Sequence, residues 1–183
     1  MTILLHACCA PCSAPILEKM LDDGLQPAVF YENSNIFPHE EYLKRRDEIE
    51  KHCHKLGIKF FKSDYNHQNW LDYVKGLEDE PERGRRCLNC FRFRLKKTAE
   101  FASINGFDTI ASSLSSSRWK DLKQIDAAGF EAVEKFDALS YFAENWRKNG
   151  LQNRRNQLIK ENNFYNQLWC GCEFSHKPDD KII

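Results

Sequence analysis

The sequence lacks the features that direct a protein into or across a membrane. No apolar run approaches the roughly 18 to 20 residues that a membrane-spanning helix needs. The N-terminal residues, Met1 to His6, contain neither a basic segment nor an apolar stretch of signal-peptide length. We therefore expect a cytoplasmic protein with no membrane partner.

Nucleotide-binding motifs, repeats and linkers are also absent. Neither a P-loop nor a G-x-G-x-x-G motif occurs, which excludes the standard phosphate-binding loops. There is no internal repeat, low-complexity segment or long Pro/Gly/Ser linker. The chain has 183 residues, with 27 basic, 27 acidic and 42% hydrophobic side chains, which suits one globular domain with a sizeable core. We treat residues 1–183 as a single domain.

Strand-like and helix-like apolar spacings alternate along the chain. Short apolar runs predict strands at 2–6, 28–31, 58–61, 108–111 and 132–136, and helical spacing lies between them, with one helix ending at Gly129. This alternation predicts an α/β fold with a mostly parallel sheet. The polar stretch 140–167 predicts a C-terminal helical cap. Ligands bind beyond the C-terminal ends of such strands, so we expect the site at the loop that contains Cys8 and at the serine-rich loop 112–117.

Seven of the eight cysteines are grouped in short motifs. Cysteines of a cytoplasmic protein normally stay reduced, so these motifs indicate metal binding or redox chemistry rather than structural disulfides. Soft thiolates suit zinc, copper(I) and iron–sulfur clusters. The groups are C-C-x-x-C (Cys8, Cys9, Cys12), C-x-x-C (Cys87, Cys90) and C-x-C (Cys170, Cys172).

The first two groups are candidate metal ligands. The adjacent side chains of Cys8 and Cys9 are expected to diverge, which fits one tetrahedral ion awkwardly and favours a larger cluster or two metals. Cys87 and Cys90 lie at the start of a predicted helix, where the helix dipole and the neighbouring arginines favour thiolates. A closed zinc site or a set of buried thiols is the alternative interpretation.

Cys170 and Cys172 are separated by a glycine that permits a tight turn, and this spacing favours a redox-active dithiol. Two further zinc ligands are the alternative. The remaining cysteine, Cys53, lies on the apolar stripe of its helix and is interpreted as an inert, packed thiol.

Seven basic residues and no acidic one lie between residues 83 and 97, interleaved with Phe91 and Phe93. Phosphate contacts and base stacking use these residue types, so the segment could bind RNA, although a solvated helix face is the alternative. His6 precedes the first cysteine group, where it could donate a proton or simply be a satisfied histidine at a strand end.

Three segments together resemble the QueH family of epoxyqueuosine reductases. They are HACCAPCS at 6–13, GRRCLNCFRFRL at 84–95 and CGCEFS at 170–175, and residues 31–36 and 165–167 also look like family signatures. The resemblance implies a fold of the adenine-nucleotide α-hydrolase-like, Rossmann-like type. It also implies the last step of queuosine biosynthesis, the reduction of epoxyqueuosine to queuosine at the anticodon wobble position of tRNA.

The resemblance further implies how the cysteines are used. Cys8, Cys9, Cys87 and Cys90 look like ligands of a [4Fe-4S] cluster, and Cys12 looks like a further metal ligand, with room for a second iron. Cys170 and Cys172 look like the catalytic redox pair, re-reduced by an unidentified electron donor. Converting an epoxide to an alkene with loss of water needs two electrons and two protons, which one dithiol can supply. A zinc-stabilised RNA-binding module and a thiol-disulfide oxidoreductase are the alternative functions.

Overall fold

A computed structural model describes residues 2–175 of the chain. The strands are β1 (Thr2–His6), β2 (Gln26–Tyr31), β3 (Phe60–Lys62), β4 (Thr109–Ser112) and β5 (Ser140–Tyr141). The helices are α1 (Ala10–Asp22), α2 (His39–Lys55), α3 (His67–Val74), α4 (Arg85–Ile104), α5 (Leu122–Val133) and α6 (Leu151–Asn162). A 3-10 turn, Ser113–Ser116, follows β4.

The strands form one parallel sheet in the order β3-β2-β1-β4-β5. Strands β2 and β3 lie on one side of β1. The chain then crosses to the other side of β1, where β4 and β5 complete the sheet. This reversal opens a crevice between the C-terminal ends of β1 and β4, where His6 pairs with Ser112. Open α/β sheets bind ligands at such a switch point. The predicted α/β fold with a parallel sheet is confirmed.

The central strand is buried on both faces because helices cover both. Successive side chains of a strand point to opposite faces. Ile3 and Leu5 pack into the core with residues of α1 and α2, whereas Leu4 packs with Leu95 of α4 and Ile125 of α5. All five side chains are fully buried. The continuous apolar run of β1 therefore reflects its central position.

The last strand lies later in the chain than the sequence predicts. Helix α5 does not end at Gly129 but continues to Val133, and no strand forms at 132–136; β5 is Ser140–Tyr141 instead. A Cβ atom on Gly129 would lie 2.4 Å from the ring of Tyr141. This glycine therefore allows close packing of α5 against β5 and does not terminate the helix.

The predicted C-terminal helical cap is shorter than expected. Within the stretch 140–167, only α6 is an α-helix, and it packs against α1. Its apolar residues Leu151 and Leu158 are buried in the same core cluster as Ile3 and Leu5. Helix α3 lies where no element is predicted, and its Trp70 is fully buried. Among residues 2–175, no helix is long and apolar enough to cross a membrane.

Candidate metal and redox site

The first cysteine group lies at the switch point of the sheet, as the sequence predicts. Cys8 follows β1 directly, and its backbone N–H donates to Oγ of Ser113, 2.9 Å away, in the turn after β4. The same hydroxyl donates to Sγ of Cys8 over 3.3 Å. These two contacts connect the loops that follow the central strands and fix the position of Cys8.

Cys8, Cys9 and Cys12 form a compact group of thiols. Their sulfur atoms all lie within 4.8 Å of one another. The Sγ atoms of Cys8 and Cys9 are 3.7 Å apart, so these neighbours converge, and the expected divergence is wrong. Cys9 precedes α1 with an extended backbone, φ −173° and ψ 164°, and Cys12 follows in the first turn of that helix. Two thiolates about 2.3 Å from a tetrahedral ion would lie about 3.8 Å apart, so the pair suits metal binding.

The three thiols differ in acidity. Hydrogen bonds from the Cys12 and Cys9 thiols hold the pKa of Cys8 well below its usual range, and the positive charges of Lys120 and Arg94 act in the same direction. Burial raises the pKa of Cys9, and the hydrogen bond with Cys8 raises the pKa of Cys12 to about 11. The first thiolate of this group therefore forms at Cys8.

Cys87 and Cys90 occupy the first two turns of α4, but their thiols are not acidified as the sequence analysis expects. Burial raises the pKa of Cys87 to about 11 and also raises the pKa of Cys90. The adjacent arginines point elsewhere: Arg85 pairs with Glu80 at 2.6 Å, and the buried Arg86 donates to backbone carbonyls. Desolvation thus outweighs the helix dipole at both cysteines.

Two cations lower the pKa of cysteines in different groups. The charge of Arg94 acts on the pKa of both Cys8 and Cys90, and that of Lys120 acts on Cys8 and Cys170. Within the described part of the chain, however, no set of three ligand atoms that includes Cys87 or Cys90 lies within 4.8 Å. The four predicted cluster ligands therefore do not form a single-ion site, and their joint role as cluster ligands stays a prediction.

Cys170 and Cys172 lie in a tight C-terminal loop and are not joined by a disulfide. The backbone N–H of Cys172 donates to Sγ of Cys170 over 3.4 Å, and Oγ of Ser175 lies 2.9 Å from the same sulfur. The hydrogen bond from the Cys172 thiol lowers the pKa of Cys170, whereas the reciprocal bond raises that of Cys172. Cys170 is therefore the thiolate of this pair.

Gly171 is required by the shape of this loop. Its φ is +100°, a value that L side chains rarely adopt. A Cβ atom would also lie 2.8 Å from Cγ1 of Ile36, and the Gly171 carbonyl accepts a 2.9 Å hydrogen bond from the N–H of Phe37. The loop therefore packs closely against the segment that follows β2.

Two residues that the sequence analysis does not identify, the buried Arg45 and the partly buried His67, hold the loop in place. Arg45 of α2, only 3% exposed, donates to the carbonyls of Cys170 and Trp169 at 3.1 and 3.4 Å. His67 bridges the carbonyl of Ser34 and a carboxylate oxygen of Glu173, each at 2.7 Å. Neither residue belongs to a motif, so only the fold reveals them.

Gln167 connects the C-terminal segment to the first cysteine group, because its Nε2 lies 2.6 Å from Sγ of Cys9.

His6 does not act as a proton donor in this arrangement. Its ring nitrogens contact Oγ of Ser112 and the carbonyl of Glu32, each at 3.0 Å, and burial lowers its pKa to about 3. His6 is a satisfied, neutral histidine. Cys53 is fully buried with its pKa raised to about 12, as its interpretation as an inert thiol requires.

The basic segment 83–97 is largely engaged within the protein. Arg92 pairs with Glu131 at 2.6 Å, and the buried Arg94 donates to the carbonyl of Glu32 and the side chain of Asn33. Phe91 and Phe93 are buried, 3% and 5% exposed. The segment therefore offers neither the aromatic rings nor most of the free charges that RNA binding needs.

The sequence of this chain is similar to those of proteins named epoxyqueuosine reductase QueH. The family model described as "Epoxyqueuosine reductase QueH" matches residues 3–178. A Histophilus somni protein named epoxyqueuosine reductase QueH is 45% identical over 179 residues, which cover 98% of this chain and 74% of that protein. The Thermotoga maritima protein of the same name is 32% identical over 177 residues, which cover 95% and 90% of the two chains.

A solved structure supports the fold alone. The predicted subunit of tRNA methyltransferase from Methanocaldococcus jannaschii superposes with a TM-score of 0.58 and 12% identity, covering 88% of this chain and 75% of that one. This likeness supports the α/β fold with a parallel sheet, and the adenine-nucleotide α-hydrolase-like assignment stays a prediction. With the family model spanning nearly its whole length and relatives at this level of identity, the chain belongs to the QueH family of epoxyqueuosine reductases.

Proposed function

We propose that this protein reduces epoxyqueuosine to queuosine at the wobble position of tRNA, the last step of queuosine biosynthesis. The epoxide takes up two electrons and two protons, both of its carbon–oxygen bonds break, and an alkene and water result. Oxidation of the Cys170–Cys172 dithiol to a disulfide releases the same two electrons and two protons. An external electron donor then restores the dithiol. A tRNA substrate implies a cytoplasmic enzyme.

The observation that carries this proposal is the link between the first cysteine group and the C-terminal segment that contains the dithiol. Gln167 contacts Cys9, and Lys120 acts electrostatically on both Cys8 and Cys170. The C-terminal dithiol is therefore held beside the thiols that follow β1. A redox reaction that needs both a metal and a dithiol fits this placement.

The donor set fits a soft metal centre. We propose that Cys8, Cys9, Cys87 and Cys90 hold a [4Fe-4S] cluster, and that Cys12 is the ligand available to a second iron. A cluster holds its thiolates further apart than a single ion does. The sulfur atoms of Cys8, Cys9 and Cys12 have the close spacing of a single-ion site, so this group can also provide a ligand to that second metal. When bound, an iron with an open coordination position supplies Lewis-acid polarisation of the epoxide oxygen. Arg94 and Lys120 offset the negative charge of the thiolates.

The residues around the dithiol determine which sulfur reacts first. Cys170 is the more acidic thiol, and Ser175 contacts its sulfur at 2.9 Å. The thiolate is the nucleophilic form in disulfide chemistry, so Cys170 is the expected point of exchange with the electron donor. Arg45 and His67 hold the loop while the pair changes between its dithiol and disulfide forms.

Anaerobic visible absorption, together with iron, sulfide and zinc analysis, tests the metal assignment. We expect iron, acid-labile sulfide and a broad visible band in the wild type, and loss of most iron in the Cys87→Ser/Cys90→Ser double variant. Full iron occupancy in that variant would show that these two residues are not ligands. A colourless protein with stoichiometric zinc would instead indicate a zinc-stabilised RNA-binding module, and a metal-free active protein a thiol-disulfide oxidoreductase.

A further inference from the structure

One exposed aromatic side chain lies at the edge of the cysteine site. Trp119 is 76% exposed, whereas Trp70 and Trp146 are buried at 0% and 3% exposure. It belongs to the segment between the 3-10 turn Ser113–Ser116 and helix α5. A single exposed apolar side chain is common on protein surfaces, so the surroundings of Trp119 must indicate its role.

The backbone around Trp119 is held from two sides. Arg83 donates to the carbonyls of Trp119 and Arg118, both at 3.0 Å. Arg147 donates to the carbonyls of Ser115 and Lys120, at 3.0 and 2.8 Å. The segment is thus fixed by two guanidinium groups from distant parts of the chain, while the indole itself stays exposed. This is the arrangement of a preorganised binding surface.

The same segment adjoins the first two cysteine groups. Ser113, at the start of the preceding turn, contacts Cys8. The backbone N–H of Arg83 donates to Sγ of Cys87 over 3.3 Å. Lys120, the residue after Trp119, acts on the pKa of Cys8 and Cys170. A molecule bound in the crevice would therefore lie close to the segment that carries Trp119.

Two cations close to Trp119 in the sequence are unpaired, and the one acidic residue between them, Asp121, caps helix α5 with its carboxylate. Arg118 and Lys123 are exposed, and within residues 2–175 no acidic side chain pairs with either one. In contrast, Arg85 and Arg92 of the basic segment form ion pairs. An exposed ring flanked by free cations matches single-stranded nucleic acid, whose bases stack and whose phosphates need cations.

We propose that Trp119 is a stacking platform for an unpaired base of the tRNA anticodon loop, next to the base whose epoxide is reduced. This inference rests on the proposed function and adds the residue that holds the RNA loop at the site. Arg118 and Lys123 contact the phosphates on either side of the stacked base. The loop, rather than the paired stem, is the recognised element, because only an unpaired base can expose a face to the ring.

Binding of a fluorescently labelled anticodon stem–loop RNA tests the platform, with a fully paired RNA of equal length as the control ligand. The variants are Trp119→Ala, Trp119→Phe and Ile104→Ala, the last being an 84% exposed apolar residue at the C-terminal end of α4. Stacking contributes about 1 to 3 kcal/mol per base, so Trp119→Ala should weaken stem–loop binding about tenfold. Trp119→Phe should retain most of the affinity, and Ile104→Ala all of it.

The outcomes separate this proposal from the proposed function. Stem–loop RNA should quench tryptophan fluorescence in the wild type, and most of this quenching should vanish in Trp119→Phe. If Trp119→Ala binds the stem–loop as tightly as the wild type, or loses affinity equally for the paired RNA, the platform is wrong. A separate conversion assay, in which the same wild-type preparation acts on tRNA that contains epoxyqueuosine, reports on the proposed function. Conversion would leave that function standing whatever the binding result, and its absence would refute the function itself.

Discussion

At the scale of single residues, the cysteines depend on buried polar side chains that lie far away in sequence. Arg45 reaches the carbonyl of Cys170 across 125 positions, and His67 reaches Glu173 across 106. Both anchors are polar residues on helices whose patterns carry no functional signal. The motif spacing is therefore sufficient to find the reactive thiols, whereas the groups that position them emerge only from the fold.

The role of Cys170 separates electron delivery from metal binding. We expect Cys170→Ser to keep the iron content and visible spectrum of the wild type and to lose multiple turnover, because a disulfide can no longer form. Iron content and epoxide-to-alkene conversion should be measured on one sample. Cys53→Ala, at a buried thiol away from the site, is the control and should keep both. Joint loss of iron and activity in Cys170→Ser would indicate a ligand.

His52 makes stability depend on pH. It is 4% exposed, neither ring nitrogen has a hydrogen-bond partner among the described residues, and burial lowers its pKa, with Glu18 opposing and Lys55 reinforcing the shift. Below about pH 6.5 the unfolded chain binds a proton that the folded protein binds less readily, so stability falls as the pH falls.

We therefore expect His52→Leu to flatten the decline in the free energy of unfolding below about pH 6.5, and to raise stability at neutral pH by about 1 kcal/mol, since an unpaired polar group is removed. Urea unfolding at several pH values measures both effects. His54→Leu, at an exposed position of the same helix, should leave the pH dependence unchanged. An equal slope in wild type and His52→Leu would contradict the assignment.

At the scale of elements, the sequence predicts the alternation of strands and helices up to β4 except for the short helix α3, because buried parallel strands are continuous apolar runs and amphipathic helices have helical spacing. The region after β4 is harder. Gly129 looks like a helix end but is an interior position that makes room for Tyr141. Close packing between distant elements has no local sequence signal, so the fifth strand was misplaced.

The contact between α5 and β5 gives a direct test of this explanation. Alanine at Gly129 should gain up to about 1 kcal/mol from helix propensity but lose about 1 to 3 kcal/mol from overpacking against the Tyr141 ring. We expect net destabilisation in denaturant unfolding. Ala127→Gly, at an exposed position of α5, measures the propensity contribution alone. A more stable Gly129→Ala variant would show that the glycine has no packing role.

At the scale of the whole molecule, the distribution of charge decides where the RNA binds. The sequence singles out residues 83–97, yet the fold pairs Arg85 and Arg92 with glutamates and buries Arg94. Which cations remain free is a tertiary property, because the acidic partners lie up to 65 positions away, as Glu32 does from Lys97. The exposed, unpaired cations beside the cysteine site are instead found around Trp119.

Salt dependence of tRNA binding distinguishes these two surfaces. Arg118→Gln should weaken binding and reduce the slope of log affinity against log salt by about one, as expected for one lost phosphate contact. Arg92→Gln should change neither the slope nor the affinity appreciably, because Glu131 already pairs with this side chain. A larger loss of affinity and of salt slope in Arg92→Gln than in Arg118→Gln would show that the RNA binds the basic segment 83–97 instead.

Direct conversion of the tRNA base tests the central claim that this chain is an epoxyqueuosine reductase. Anaerobically purified wild-type protein, a dithiol reductant and tRNA that contains epoxyqueuosine should be incubated, and the digested nucleosides analysed by mass spectrometry. We predict that epoxyqueuosine is lost and that queuosine appears in equal amount. Queuosine is about 16 mass units lighter because each reduced epoxide loses one oxygen atom. Iron-loaded, folded protein that binds this tRNA and leaves epoxyqueuosine unchanged would contradict the account.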